Sequence, residues 1–419
     1  MGFTPRLERL AIRLTTPARF FAGLAVRDWR KAGAAGALSG PADGPFLPPI
    51  SDLAPPIPAC LRIAVPLFRT APQVAAWAQV VAVHKAMADA GRWPDLLAAL
   101  RAADQSRVTM EGGKRIVDLV SEGARAGLAA AIARQDFTAA SHELDRIATG
   151  LGPHAQDYAA AHLLAQAHLD LGWALREAGR LADQTGALTC AGWAAYRTHV
   201  AAAEAALGDF DPLELLSPLL AGTRYLLVRG LDDGEDLCHD WYEDWSDLDP
   251  TNWAVHATHA PQLLPNWFGS KTGFDAEARL AMARTEEDMG AAAYAMFYRA
   301  VADVLGDMPA EMDLGLLVQG LRDLADQTGC QYRANIVAGV LTELAHALHL
   351  EGPGAEDRFA LVRQALEDVV TTQLREFHLT AWENGDDSIR WALAQVFGAR
   401  LTPAARVIVG KAGLALTHP

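Results

Sequence analysis

The sequence predicts an all-α fold of stacked helical hairpins, with a division into two lobes as an open alternative. Alanine and leucine dominate and β-branched runs of strand length are scarce, which favours helix throughout. Similar turns recur between Ala-rich helical patterns, and their third positions lie 44, 44 and 29 residues apart. The turns are GRW at 91–93, QDF at 135–137, GRL at 179–181 and GDF at 208–210. The string LADQTG occurs at 181–186 and again at 324–329. Recurrence at a regular period is typical of helical repeat proteins.

Residues 1–35 predict a basic amphipathic helix. Apolar residues repeat at helical spacing from Leu7 to Leu14, and the first 31 residues carry seven basic and two acidic side chains, a net charge of +5. We expect this helix to dock on the acidic surface of the chain itself. The alternatives are a partner protein or peripheral contact with an anionic membrane.

Proline then marks a boundary. Eight of the 22 prolines lie between residues 41 and 66, a density that excludes helix and favours extended chain. We therefore interpret 36–66 as a linker or a strap across the surface. Helical-hairpin repeats are expected over 67–230, where Asp211 and Pro212 form a typical helix start.

The region 231–419 is predicted to be helical, with an insert rich in tryptophan and acidic residues. Beyond this insert, helical patterns cover 274–305, 311–327, 332–350, 355–380 and 386–398. On the pattern 332–350, Glu343, His346 and His349 lie opposite the apolar stripe, so they predict a solvated polar face.

Composition limits the class of function. The net charge is −15, which argues against a nucleic-acid-binding protein because phosphate neutralisation needs clustered lysine and arginine. The four cysteines are far apart and form no C-x-x-C pair, a pattern typical of reduced thiols in a cytoplasmic protein. No apolar run reaches the length of a transmembrane helix, and 20–26 is too short for a secretory signal.

Two strings resemble tetratricopeptide repeats. LGWALREAG at 171–179 keeps the spacing of that family's first helix, and LDPTN at 248–252 resembles its repeat-ending turn. Residues 248–300 also resemble an uncharacterised bacterial family of tetratricopeptide-like proteins that has a P-x-W-G-G-S type turn. In this chain, Phe268 stands in place of the first glycine of that turn. These resemblances imply helical hairpins and no particular reaction.

The segment 232–270 is the strongest candidate for a binding site, since it brings aromatic rings and carboxylates into a short span. Such a combination suits a peptide, a cation or a sugar. The alternative is that the tryptophans pack between hairpins while the acids stabilise a helix start. The candidate binding residues are Trp241, Tyr242, Trp245, Trp253, Trp267, Asp240 and Asp244.

Three histidines in the same segment have the chemistry of metal ligands. His239, His256 and His259 offer imidazole nitrogens, with carboxylates nearby, as in mixed zinc or iron sites. Their spacing gives no support, so we expect no metal and no cofactor.

Together these patterns predict a non-catalytic helical-repeat scaffold that binds a protein or peptide partner through a Trp- and acid-rich groove. The alternative is a helical enzyme, or a protein that binds a small ligand or metal, with its pocket in 232–270. No nucleotide-binding loop, nucleophile elbow or H-E-x-x-H string is present.

Overall fold

The computed structural model describes residues 62–182, 190–208, 210–265, 267–270, 273–305, 312–326, 329–382 and 384–418. The basic helix expected at 1–35 and the strap up to residue 61 lie outside the described residues, as do parts of both LADQTG strings. Over the described ranges the chain is mostly helical, which confirms the all-α class. No helix there is long and apolar enough to span a membrane.

Seven helices form the first part of the described chain. They are α1 (Pro72–Asp89), α2 (Trp93–Ser106), α3 (Ile116–Ala124), α4 (Ala126–Ala133), α5 (Phe137–Leu151), α6 (Tyr158–Ala182) and α7 (Cys190–Leu207). Helices that follow one another in sequence pack together, most extensively α6 with α7. Buried leucines such as Leu96, Leu100 and Leu163 form their shared core.

Nine more helices follow. They are α8 (Pro218–Tyr225), α9 (Gly234–Leu248), α10 (Trp253–His259), α11 (Phe274–Met289), α12 (Ala292–Leu305), α13 (Leu314–Asp326), α14 (Gln331–Glu351), α15 (Glu356–Thr372) and α16 (Asp386–Phe397). A second, larger core includes Tyr225, Phe297 and Trp391, all fully buried.

Five short strands join distant parts of the chain. They are β1 (Arg62–Ala64), β2 (Leu67–Phe68), β3 (Phe377–His378), β4 (Arg406–Val409) and β5 (Leu414–Thr417). β1 pairs in parallel with β4, β2 pairs in parallel with β3, and β4 and β5 form an antiparallel pair. Val65, between the first two strands, is buried in the core of the C-terminal helices. The first described residues are therefore held against the C-terminal part of the chain.

A buried ion pair links the two cores. Arg115, just before α3, donates from Nε to Oδ2 of Asp249 at 3.0 Å and from Nη2 to Oδ1. Its Nη2 also donates to the Thr251 hydroxyl at 3.0 Å, and its Nη1 donates to the carbonyl of Arg107 at 2.7 Å. The side chain of Arg115 thus connects the N-terminal helices to the LDPTN turn.

Several helix boundaries differ from the sequence expectations. The pattern 274–305 is two helices, because Gly290 takes a positive φ of 57° and ends α11. The helix expected after Asp211 begins later, at Pro218, and is capped by Ser217, whose hydroxyl accepts the amide hydrogen of Leu220. Asp211 instead accepts from the amides of the intervening turn.

The polar face predicted on α14 is wrong for one residue. His346 is only 4% exposed and its ring lies 5.5 Å from that of Trp391 on α16. Helix α14 contacts α13, α15 and α16, so neighbours cover positions that a single apolar stripe would leave in water.

Candidate functional site

The segment 232–270 folds into α9, the LDPTN turn, α10 and a second tight turn. Asn252 begins α10 because its side-chain oxygen accepts a hydrogen bond from the amide of Ala254 at 3.0 Å. A 3₁₀ turn, Ala260–Leu263, follows α10 and leads to Trp267. The end of α9, the start of α10 and the turn that carries Trp267 therefore follow one another closely along the chain.

The aromatic residues expected at the site divide into two sets. Tyr242 and Trp245 are only 3% and 7% exposed and belong to the core of the C-terminal helices. Trp241, Trp253 and Trp267 are half-buried. Only these three have surface to offer a ligand.

Arginines of the chain itself lie over the half-buried tryptophans. The pairs are Arg224 over Trp241, Arg333 over Trp253 and Arg229 over Trp267. The distances from the guanidinium carbon to the ring centre are 5.8, 4.4 and 4.1 Å, respectively. Cation–π attraction stabilises such pairs. Asp240 is exposed and Asp244 half-buried. Guanidinium groups thus occupy ring surface that the sequence suggested for an outside ligand.

Arg229 is the most unusual of these arginines. Its guanidinium lies between Trp267 and Trp173, whose ring centre is 5.2 Å away, and its Nε donates to Oε1 of Gln262 at 2.6 Å. Burial, with a further contribution from Arg176, lowers the pKa of Arg229 to about 10. Yet the side chain keeps some exposed surface, so a ligand can reach it.

No carboxylate of the described residues lies within ion-pair distance of Arg229, and its two terminal nitrogens make no hydrogen bond with them. Buried charges are ordinarily paired, since removing a charge from water costs several kcal/mol. Arg229 is instead stabilised by two aromatic faces and one amide. Its terminal N–H groups are available to an acceptor that approaches from the exposed side.

A second arginine lies beside the same two tryptophan rings. The guanidinium carbon of Arg176 lies 4.5 Å from the Trp173 ring centre and 5.5 Å from that of Trp267. Arg176 donates from Nη1 to Glu177 at 2.8 Å, and both side chains are buried. We call Arg176, Arg229, Trp173 and Trp267 the arginine–tryptophan recess.

A close backbone approach fixes the turn that carries Trp267. The amides of Trp267 and Phe268 donate to the carbonyls of Leu264 and Gln262, each at 2.9 Å. A Cβ atom at Gly269 would lie 1.6 Å from the carbonyl oxygen of Leu263. Only glycine fits there, so this residue sets the position of the indole ring.

The three histidines do not form one group. His256 is fully buried and satisfied, since its Nε2 donates to the carbonyl of Pro250 at 2.9 Å and its Nδ1 accepts from the Tyr242 hydroxyl at 3.1 Å. His239 and His259 do come together, and Glu277 of α11 joins them. One ligand atom from each of these three residues lies within 4.8 Å of the others.

Another buried polar chain connects α3, α6 and α8. The Ser121 hydroxyl lies 2.7 Å from Nε2 of His162, whose Nδ1 lies 2.6 Å from the Thr223 hydroxyl. Burial lowers the pKa of His162 to about 3. Although serine beside histidine suits nucleophilic catalysis, both side chains are only 3% exposed. The chain therefore stabilises the packing of three helices.

Sequence reasoning missed the recess and Glu277. Arg176 follows Trp173 by three residues, a spacing that places both on one face of α6. That signal was available in the sequence. Arg229 lies in the turns after α8, where no helical spacing links it to a ring. The meeting of α6 with the turn at 264–270 was not available in the sequence either, because it depends on tertiary packing.

No protein-family model, curated protein or solved structure matches this chain. The inferences below therefore rest on its own side chains.

Proposed function

We propose that the chain is a non-catalytic helical scaffold that binds a peptide partner, and that the arginine–tryptophan recess holds an acidic group of that peptide. The observation that carries the proposal is Arg229, a partly desolvated guanidinium whose terminal nitrogens have no partner among the described residues. The location expected from the cysteines, the cytoplasm, belongs to the same proposal.

The ligand class follows from the donors. A guanidinium presents a planar fork of N–H groups that matches a carboxylate, and such charge-assisted bonds are roughly twice as strong as neutral ones. The faces of Trp173 and Trp267 hold Arg229 in place, which reduces the entropy lost when the ligand binds. A carboxylate from an Asp, a Glu or a peptide C-terminus fits these donors.

The net charge of −15 contributes specificity rather than affinity. An acidic surface repels acidic peptides in general, so only one that reaches the recess gains an ion pair. Long stacked hairpins form extended grooves suited to peptides, and the pairwise packing of successive helices supports this tetratricopeptide-like arrangement as part of the proposal.

A peptide series tests the proposal. Short fluorescent peptides with an acidic residue or a free C-terminal carboxylate are compared with amide-capped, Gln-substituted versions by fluorescence anisotropy against the full chain. We expect the acidic peptides to bind the wild type and the Arg229→Gln variant to lose at least tenfold in affinity.

Arg224→Gln is the matched control, since Arg224 also covers a tryptophan but donates to the carbonyl of Phe210 at 2.9 Å. It should leave binding unchanged. Equal binding of acidic and capped peptides, or equal losses in both variants, would contradict the proposal.

A further inference from the structure

We propose that His239, His259 and Glu277 form a site for a divalent transition-metal ion, with zinc as the best-matched metal. Three helices supply the ligands: His239 lies on α9, His259 is the last residue of α10, and Glu277 lies in the first turn of α11. The proposal does not depend on the arginine–tryptophan recess.

The strongest observation is an atom without a partner. His259 is fully buried, and its Nε2 makes no hydrogen bond with the described residues. Leaving a buried polar nitrogen unpaired costs about 1–3 kcal/mol, so such atoms are rare and indicate a missing partner. One ligand atom each from His239 and Glu277 lies within 4.8 Å of a ring nitrogen of this histidine.

The other ring nitrogen of His259, Nδ1, is held by a hydroxyl group. Nδ1 lies 2.6 Å from the Tyr225 hydroxyl, which in turn lies 3.4 Å from the Cys238 sulfur. With Nδ1–H donating to Tyr225, Nε2 carries the free lone pair, and it is the atom that we assign to the metal. The ring is held by Tyr242, stacked at 3.7 Å and nearly parallel.

His239 has a similar outer support. Its Nε2 lies 3.4 Å from a carboxylate oxygen of Glu243, and its Nδ1 lies 3.8 Å from Oε2 of Glu277. With the proton of the imidazole on Nε2, the side of Glu243, Nδ1 is the atom that we assign to the metal. Arg284 in turn pairs with Glu243. Carboxylate or hydroxyl partners of this kind orient metal-bound imidazoles.

The ligand set selects the metal. Two imidazoles and one carboxylate suit zinc, with bonds near 2.0–2.2 Å, and leave one tetrahedral position to water. The ligand atoms lie farther apart than in a loaded site. His239 has 48% of its side chain exposed, so it is the ligand that we expect to shift inward when the metal binds. Glu277 is 29% exposed, so the metal is reached from the surface.

Metal binding to the purified full-length chain tests the site. After dialysis against a chelator, we expect one zinc ion per chain in competition with a chromophoric chelator. We also expect cobalt to give the visible absorption of a four-coordinate nitrogen and oxygen site. His239→Ala and Glu277→Gln should each weaken zinc binding by tenfold or more, and Tyr225→Phe by roughly tenfold.

Exposed residues away from the site provide controls. His142→Ala on α5 and Glu287→Gln, on the same helix as Glu277, should bind zinc like the wild type. His239→Ala serves as the main test because its exposed side chain can be removed without opening the core, whereas His259 is buried. The site is refuted if the wild type binds no stoichiometric zinc at micromolar concentration. It is equally refuted if His239→Ala and Glu277→Gln bind as tightly as their controls.

Discussion

Asp118 carries a negative charge that the folded structure disfavours. This carboxyl lies on α3, and burial raises its pKa to about 6. Lys114 lowers the pKa while Glu122 raises it, so the neighbouring charges only partly offset the desolvation. None of the described residues donates a hydrogen bond to Asp118.

Replacing Asp118 by asparagine should therefore stabilise the protein at neutral pH. The carboxyl's folded pKa exceeds the unfolded value, so its contribution is fully favourable below about pH 4 and is lost as pH rises through 6. We expect Asp118→Asn to gain roughly 1–3 kcal/mol in urea unfolding at pH 7.5, and the gain to shrink as the pH falls to 4.5. The exposed Asp145→Asn should change stability by less than about 0.5 kcal/mol at either pH.

The sequence predicted the position of some site residues correctly and of others incorrectly. The segment 232–270 indeed brings His239 and His259 together, but spacing alone could not show that His256 is satisfied by a backbone carbonyl. Tyr242 and Trp245 carried the same composition signal as Trp267 and lie in the core. Composition identifies where aromatic and acidic groups concentrate, whereas burial depends on neighbours that are distant in sequence.

Among the elements, the turn at 264–270 has the tightest geometry. Gly269→Ala should cost about 2 kcal/mol or more, since the added methyl group would overlap the carbonyl oxygen of Leu263. It should also shift Trp267 and weaken peptide binding at the recess. Gly152→Ala, where no atom lies within 4 Å, is the control and should stay within about 0.5 kcal/mol in urea unfolding. Matching losses in both variants would contradict the steric explanation.

Most helices were recognisable because apolar residues repeat at helical spacing along them, whereas the ends of the helices were harder to predict. Gly290 divides one long pattern into α11 and α12. The strands carried no usable signal, because pairs such as Leu67–Phe68 are too short for alternation to appear. Strand pairing there depends on residues more than 300 positions away.

Across the whole molecule, the ion pair of Arg115 and Asp249 joins the N-terminal helices to the LDPTN turn. In a double-mutant cycle with alanine we expect the two buried groups to couple by about 1–3 kcal/mol, so the double variant loses less than the sum of the singles. The exposed pair Arg92 and Asp95, 2.7 Å apart, should couple by less than about 0.5 kcal/mol. Additive losses at Arg115 and Asp249, measured by denaturant unfolding, would show that this contact does not link the halves.

The parallel pairing of β1 with β4 can form only late in synthesis, because the two strands are far apart in the sequence. Roughly 340 residues separate the two strands, and at 5–20 residues per second the ribosome needs on the order of 20–70 s to make them. Throughout that interval β1 has no partner, while the helices of the first core can already assemble. The nascent chain must therefore keep an unpaired strand from joining other chains until β4 has emerged.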